Sequence, residues 1–393
     1  MESRSSGSPL PFFDRDHVEL RARVRAWVDA HLVKSVAVEA DVEKSACALV
    51  KQLGAAGFLR YAAAKQYGGA QGAVEARDLS ILREELARGS ALADTMFALQ
   101  ALGSYPITLA GSDEQKQRYL PKVVSGEAIA AFAITEPEAG SDAAALSTTA
   151  VLDGERYRLN GTKRFISNAG IADHYVVFAS TAPEQRAKGV SAFIVDATAP
   201  GLLLKEKTAI LSPHPIGIIV FENCQVAKDA LLGIEGEGLS LALRALDTLR
   251  ISVAAAAVGL AQRALDEAVS YARERRQFGQ AIGNFQGIQF KLADMATELE
   301  AARLLVYQAA WANDVGAGDF KQKSSMAKLY ATEAAQRIID QALQIHGGVG
   351  LVSGHIMERL YRDIRALRIY EGTSEIQKIV IARQLLKATG NRQ

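Results

Sequence analysis

Cysteine is nearly absent: the 393 residues include only Cys47 and Cys224, neither with a partner at metal-ligand spacing. That excludes a disulfide framework and a cysteine-built zinc site, fits a reducing compartment, and leads to the expectation of no bound metal. A surplus of charge of either sign is absent too. With 45 basic and 44 acidic side chains the formal net charge is +1, which leaves no global field to draw nucleic acid or an anionic membrane. A small-molecule enzyme is the better default. No segment reaches about 18 uninterrupted apolar residues. The first nine residues are polar and lack the apolar core of a secretory signal, so residues 1–11 are expected to form a loose tail on a soluble, cytoplasmic protein.

The length suffices for two or three packed units with a substantial core. From His17 to about Gly126, residues such as Leu20, Val24, Trp27 and Val28 fall near helical spacing, with glycine breaks at Gly54 to Gly57 and at Gly68-Gly69. An all-α region is predicted. From Ala128 the pattern turns to short β-branched or aromatic runs: Thr148 to Leu152, Arg156 to Leu159, Thr162 to Ile166, His174 to Ser180, Val190 to Val195 and Ile216 to Phe221. Asp153-Gly154 and Asn160-Gly161 read as turns between them. Successive strands without intervening helices predict a compact antiparallel sheet or open barrel. Beyond Gly238 helical periodicity returns in Ser240 to Arg276, Phe285 to Val315, Ser324 to Ile345 and Glu375 to Thr389, predicting four long helices. The expected division is 12–127 helical, 128–237 β and 238–393 helical.

Three segments carry chemistry. In Ile369-Tyr370-Glu371-Gly372-Thr373-Ser374-Glu375-Ile376 an acid stands between an aromatic residue and a glycine, on a loop between two helices. Such a carboxylate is desolvated on one side while its backbone N–H stays open to a ligand, the setting of a general base. The same residues also read as a helix start capped by Thr373 or Ser374. Ala131 to Asp142 runs a strand into Gly140-Ser141, a turn that either offers N–H groups and hydroxyls to a ligand or is an ordinary turn. In Asn160 to Ala169, period two puts Phe165 and Ser167 on one face of a strand, facing one planar ligand or serving packing.

Together with Arg275-Arg276-Gln277-Phe278-Gly279 and Gln344-Ile345-His346-Gly347-Gly348, these segments resemble the acyl-CoA dehydrogenase family in identity, order and spacing, over about Phe12 to Lys387. The resemblance implies an α+β multidomain fold: an α-helical N-terminal domain, a middle antiparallel β domain and a C-terminal four-helix bundle. It implies a homotetramer, a dimer of dimers, holding FAD noncovalently without a Rossmann fold. Flavin contacts are assigned to Phe132, Thr135, Ser141, Phe165 and Ser167, with Phe165 where many members carry Trp and Ser167 near N5. Arg275, Phe278, Gln344, Gly347 and Gly348 are assigned to the FAD of a neighbouring subunit, and Gln286, Thr373 and Glu375 join the cofactor contacts. His346 receives no catalytic role.

The implied reaction is an α,β-dehydrogenation. Glu371 takes the pro-R α proton of an acyl-CoA, the β hydride passes to flavin N5, and the product is the trans-2-enoyl-CoA. The thioester oxygen is held by the Glu371 backbone N–H and a ribityl hydroxyl. Ser141, Asp247, Arg250, Tyr370 and Gly372 are implied substrate contacts. Some branches place the base one residue before Arg250, here Leu249, which accepts no proton. No Lys or Arg lies between Arg88 and Lys116, around the expected acyl pocket, so an uncharged short- to medium-chain or branched acyl group is expected. Lys207 to Pro215 departs from the Leu-Gly-x-Arg pattern of many members. That leaves an acyl-carrier-protein thioester as an alternative substrate, and a flavin oxidase or desulfinase relative as an alternative chemistry. The family implies electron-transfer flavoprotein as electron acceptor. Neutral charge and no basic C-terminal extension argue against its DNA-binding relatives.

Overall fold

The computed structural model describes residues 11–33 and 41–390, so the expected tail lies almost wholly outside the described residues. Five helices come first: α1 (Arg15–His31), α2 (Val42–Ala55), α3 (Ala76–Gly89), α4 (Ala91–Ala110) and α5 (Asp113–Ser125). In α1 the apolar stripe Leu20, Val24 and Val28 is buried, while Arg23 faces out and Arg21 and Arg25 turn to Glu84 and Glu85, the pattern of an amphipathic helix on a core. Ser112 and Gln115 form a reciprocal capping box at the start of α5, and left-handed Gly126 ends it.

Strands follow: β1 (Ala130–Ala133), β2 (Thr149–Asp153), β3 (Arg156–Ser167), β4 (His174–Ser180), β5 (Val190–Asp196), β6 (Leu202–Lys207), β7 (Ile216–Ala227) and β8 (Leu231–Leu232). They form one sheet in the order β6-β7-β3-β2-β4-β5-β8, with β1 beside β4. Most pairings are antiparallel, but β1 pairs β4 in parallel, from Ala130 opposite His174 to Ala133 opposite Val177. The β2–β3 hairpin intervenes between these two strands and supplies the crossover that a parallel pair requires.

The reading of Asn160-Gly161 as a turn is corrected: both residues lie inside the single strand β3, at a register shift against β7. A Cβ on Gly161 would stand 2.4 Å from Thr148 Oγ1, so glycine marks a bulge and a close backbone approach here.

The last part comprises α6 (Gly238–Glu274), the hairpin β9 (Arg276–Gln277) and β10 (Gln280–Ala281), α7 (Gln286–Asp314), α8 (Phe320–His346), α9 (Ile356–Leu367) and α10 (Ser374–Gly390). The four long helices are present, and the short α9, not anticipated from periodicity, packs against α8 and α6. Alanine stripes such as Ala254 to Ala257 on α6 and Ala327, Ala331, Ala334 and Ala335 on α8 are fully buried, letting the helices pack closely.

The N-terminal helices are tied to this bundle. Asp314, at the end of α7, accepts from the backbone N–H groups of Ala76 and Arg77 and from Arg77 Nε at 2.8 Å, capping α3 from another part of the chain. Buried Glu84 on α3 takes Arg303 Nε of α7 at 3.0 Å, Arg21 Nη2 of α1 at 3.2 Å and the Tyr307 hydroxyl. Among the described residues no helix is long and apolar enough to cross a membrane.

Candidate active site

The loop between α9 and α10 holds the candidate base. Glu371 (φ 53°) and Gly372 (φ 96°) are both left-handed, after which Thr373 caps α10 through Oγ1, accepting from Ile376 N at 3.3 Å. A non-glycine residue is strained in that region. The Gly372 carbonyl fixes the turn by accepting from Lys328 Nζ at 2.7 Å and Gln377 Nε2 at 2.9 Å. Among the described residues, the Glu371 N–H meets no protein acceptor and its buried Oε2 has no partner. Burial raises the Glu371 pKa, while Arg83, Lys328 and Arg250 pull it back. A poised carboxylate beside an open N–H suits abstraction of a proton next to a polarised carbonyl.

Two of these three cations escaped the reading of the sequence. Arg83 on α3 grips Asp94 on α4 through two bonds, Nε to Oδ1 at 2.8 Å and Nη2 to Oδ2 at 2.9 Å, and reaches Ser252 Oγ at 3.1 Å. Lys328 on α8 is fully buried, and that burial holds its pKa down to about 8 against the pull of Glu371. For Lys328 the one available signal was a lone basic residue inside the apolar stretch Met326 to Ala331. Arg250, expected at the substrate, is buried and directed to Ser325 Oγ at 3.4 Å, Gln377 Oε1 at 3.5 Å and Asp247 at 3.3 Å. Asp247 is half-buried and also meets Lys321 at 3.1 Å. Leu249 is buried and apolar.

The β domain brings a second arm. Simple alternation along β3 does not hold: a bulge between Lys163 and Ile166 resets its phase, and Phe165 sits at φ 55°. Phe165 is 48% exposed, Ile166 is buried and Ser167 half-buried. The bulge therefore presents the Phe165 ring, with the Arg164 guanidinium 4.7 Å from its centre. Thr135 lies alongside, its carbonyl accepting from Arg164 N at 2.9 Å. Phe132 is half-buried and packs on Phe178 with ring centres 4.9 Å apart, and Ser141 is exposed on its turn.

Between these residues the loop is pinned by Glu136, another residue missed from the sequence. Glu136 accepts from Lys163 Nζ at 2.7 Å, Ser147 Oγ at 2.8 Å and Thr148 N at 3.0 Å. Burial alone would raise the Glu136 pKa, but Lys163 and these hydrogen bonds bring it down to about 2.

The two arms meet through the loop that departs from the family pattern. Ser167 Oγ is 2.9 Å from His214 Nε2. His214 lines a cavity of about 20 Å³, room for one water, together with Asp94, Thr95, Asp363 and Tyr370. The loop is anchored to α9, where Ser212 Oγ donates to Asp363 Oδ1 at 2.8 Å and Arg362 Nη1 to the Leu211 carbonyl at 3.3 Å.

A further set lies elsewhere. Arg275 caps the end of α6, Phe278 is 93% exposed on the β9–β10 hairpin, and Gln286 opens α7. Gln344, Gly347 and Gly348 are exposed at the end of α8, brought near by His346 stacking on Tyr271 at 4.5 Å. Glu375 is exposed in the first turn of α10. From Arg250, beside Glu371, to Arg275 is a run along one helix of roughly 37 Å at 1.5 Å per residue. One chain therefore presents two separated halves, one around Glu371 and one around Arg275.

The residues fit FAD. An exposed ring on a strained bulge and half-buried hydroxyls at Thr135 and Ser167 suit a flavin. Gly347 and Gly348 have nothing within 4 Å of a would-be Cβ, leaving their backbone open to approach.

Sequence models of the acyl-CoA dehydrogenase N-terminal, middle and C-terminal domains match residues 14–127, 131–224 and 236–386. The mitochondrial short-chain specific acyl-CoA dehydrogenase of Homo sapiens is 44% identical over 357 residues, 89% of this chain and 86% of that protein. The CarC subunit of the caffeyl-CoA reductase–Etf complex of Acetobacterium woodii is 40% identical over 387 residues, 96% of this chain and 100% of that protein. Among solved structures, butyryl-CoA dehydrogenase from Megasphaera elsdenii superposes with a TM-score of 0.89 at 34% identity, covering 95% of this chain and 99% of that one. With all three domains matched in order, the chain belongs to the acyl-CoA dehydrogenase family of FAD-dependent oxidoreductases acting on acyl-CoA.

Proposed function

We propose that the protein carries out α,β-dehydrogenation of an uncharged, short- to medium-chain or branched acyl-CoA, with Glu371 as the base. The observation that carries this reading is the Glu371 turn, where the buried Oε2 and the N–H of one left-handed residue have no partner among the described residues. Glu371 removes the α proton, and its own N–H donates to the thioester oxygen as negative charge develops there. Bound FAD supplies the hydride acceptor for the β position. Phe165 and Thr135 position the ring from one side of the site, and Tyr370 closes the other. Arg83 and Lys328 keep the Glu371 carboxylate ionisable in its buried surroundings.

An uncharged acyl chain is favoured because Asp94 already neutralises Arg83 through both carboxylate oxygens. A carboxylate on the substrate would find that cation taken and would face Asp94 itself. The names of the short-chain and butyryl-CoA relatives support a short chain. The relative from an Etf complex supports electron-transfer flavoprotein as the acceptor. The separation of the Glu371 and Arg275 clusters supports an assembly in which each site draws on two chains, as in a tetramer built from dimers.

The test is anaerobic mixing of FAD-loaded protein with straight and branched acyl-CoAs, following flavin absorbance. Fast bleaching by a short-chain member is expected, slowed roughly 10²- to 10⁴-fold in Glu371→Gln. The bleaching rate should fall as pH drops through the raised pKa of Glu371. Bleaching by acyl-carrier-protein thioesters alone would transfer the reading to that carrier. No bleaching by either would overturn it.

A further inference from the structure

His214 is held from several directions. Pro213 and Pro215 fix the backbone on both sides of it. Ser212 Oγ is bound to Asp363, and the Pro215 carbonyl accepts from Asn168 N at 2.7 Å. Its Nδ1 lies 3.2 Å from the Ser212 carbonyl oxygen, and its Nε2 lies 2.9 Å from Ser167 Oγ.

These contacts determine where the protons are. A carbonyl oxygen only accepts, so Nδ1 carries the hydrogen and donates to Ser212. Burial lowers the His214 pKa, which keeps the ring neutral. The neutral tautomer protonated on Nδ1 leaves Nε2 with a lone pair, and the Ser167 hydroxyl donates to it. The Ser167 oxygen is then left with lone pairs only.

We propose that His214 is a positioning residue that fixes the Ser167 hydroxyl as a hydrogen-bond acceptor toward the flavin, and so favours reduced over oxidised FAD. The proposal rests on the reading above that Ser167 stands at the flavin N5 edge. Oxidised flavin has a lone pair at N5 and is served by a donor, whereas reduced flavin bears hydrogen at N5 and is served by an acceptor. A free hydroxyl rotates to suit either state. One committed to His214 suits only the reduced state, so the bound flavin has a higher midpoint potential than it would without His214. The pair joins a loop that departs from the family pattern to the strand that presents Phe165.

The experiment is a midpoint-potential titration of the FAD-loaded protein, in the wild type and in His214→Leu, His214→Gln, Ser167→Ala and the Ser167→Ala/His214→Leu double variant. His214→Leu is expected to shift the equilibrium about tenfold toward oxidised flavin, a fall of roughly 30 mV for a two-electron couple. His214→Gln, which keeps an acceptor, should restore most of that shift, and the double variant should add nothing to Ser167→Ala. If His214→Leu loses FAD, His214→Asn, too short to hold Ser167, takes its place with the same expectation. An unchanged or raised potential in the His214 variants, with Ser167→Ala shifted, overturns the proposal and leaves Ser167 at the flavin. An unchanged potential in Ser167→Ala removes Ser167 from the flavin and overturns both.

Discussion

A single buried carboxylate decides whether the loop entering the β domain keeps its shape. Glu136 binds Lys163, Ser147 and Thr148 at once, and its pKa is held at about 2 against an ordinary 4.5. Its stabilisation is therefore complete above about pH 4.5 and is lost as pH falls toward 2. Glu136→Gln leaves Lys163 buried without its counter-charge and should cost about 3–5 kcal/mol in urea unfolding at pH 7. The gap between variant and wild type should close as pH is lowered through that window, because wild-type Glu136 becomes neutral too. A gap that stays constant with pH would assign the loss to packing. Neither member of this pair was picked out from the sequence, because a Glu followed by Pro137 and a Lys between Thr162 and Arg164 look like ordinary surface residues until the strands are paired. Glu371 was legible as a candidate because the acid, the aromatic residue before it and the glycine of its turn are adjacent in sequence. Arg83 and Lys328 were not, since only tertiary packing brings α3 and α8 to it.

Among the elements, β3 shows most clearly what sequence patterning conveys and what it misses. Its apolar residues and the Asp153-Gly154 turn before it were readable, and Gly154 has φ 60° in the β2–β3 hairpin. Asn160-Gly161 carries the same composition as a hairpin turn yet serves as a bulge, because the determinant is Thr148, just ahead of the neighbouring strand β2 and outside the dipeptide's local sequence. The phase of alternation near Phe165 was hidden for the same reason, the extra residue being defined only against β7. Gly161→Ala forces a Cβ to 2.4 Å from Thr148 Oγ1 and should lower stability by about 1–3 kcal/mol, the usual cost of overpacking. Thermal unfolding with and without FAD measures it. Gly154→Ala, with nothing within 4 Å of its would-be Cβ, should cost less, and an equal loss at both positions would trace the effect to backbone conformation rather than to the contact with Thr148.

At the scale of the whole molecule, α6 carries Arg250 beside Glu371 and Arg275 about 37 Å away, so the proposed function requires that a flavin site in one chain be completed by another. Mixed oligomers of Glu371→Gln and Arg275→Ala protomers test this. Each hybrid pair contains one site with an intact Glu371 and an intact Arg275 from opposite chains, so random mixing should return roughly a quarter of the wild-type sites. No recovery, in mixtures shown to contain hybrids, would mean that Arg275 acts on its own chain. The order of helical, β and helical regions was plain from periodicity alone, whereas the joints between them were not. Glu84 has one cation from α1 and another from α7, and the first turn of α3 is capped by Asp314 at the end of α7. Separated from the bundle, the N-terminal helices would retain a buried carboxylate short of one of its two cations and a helix end without its cap. The boundaries by which the three regions are matched in sequence are thus not expected to be lines of fracture, and the helical regions on either side of the sheet should unfold together as one cooperative unit.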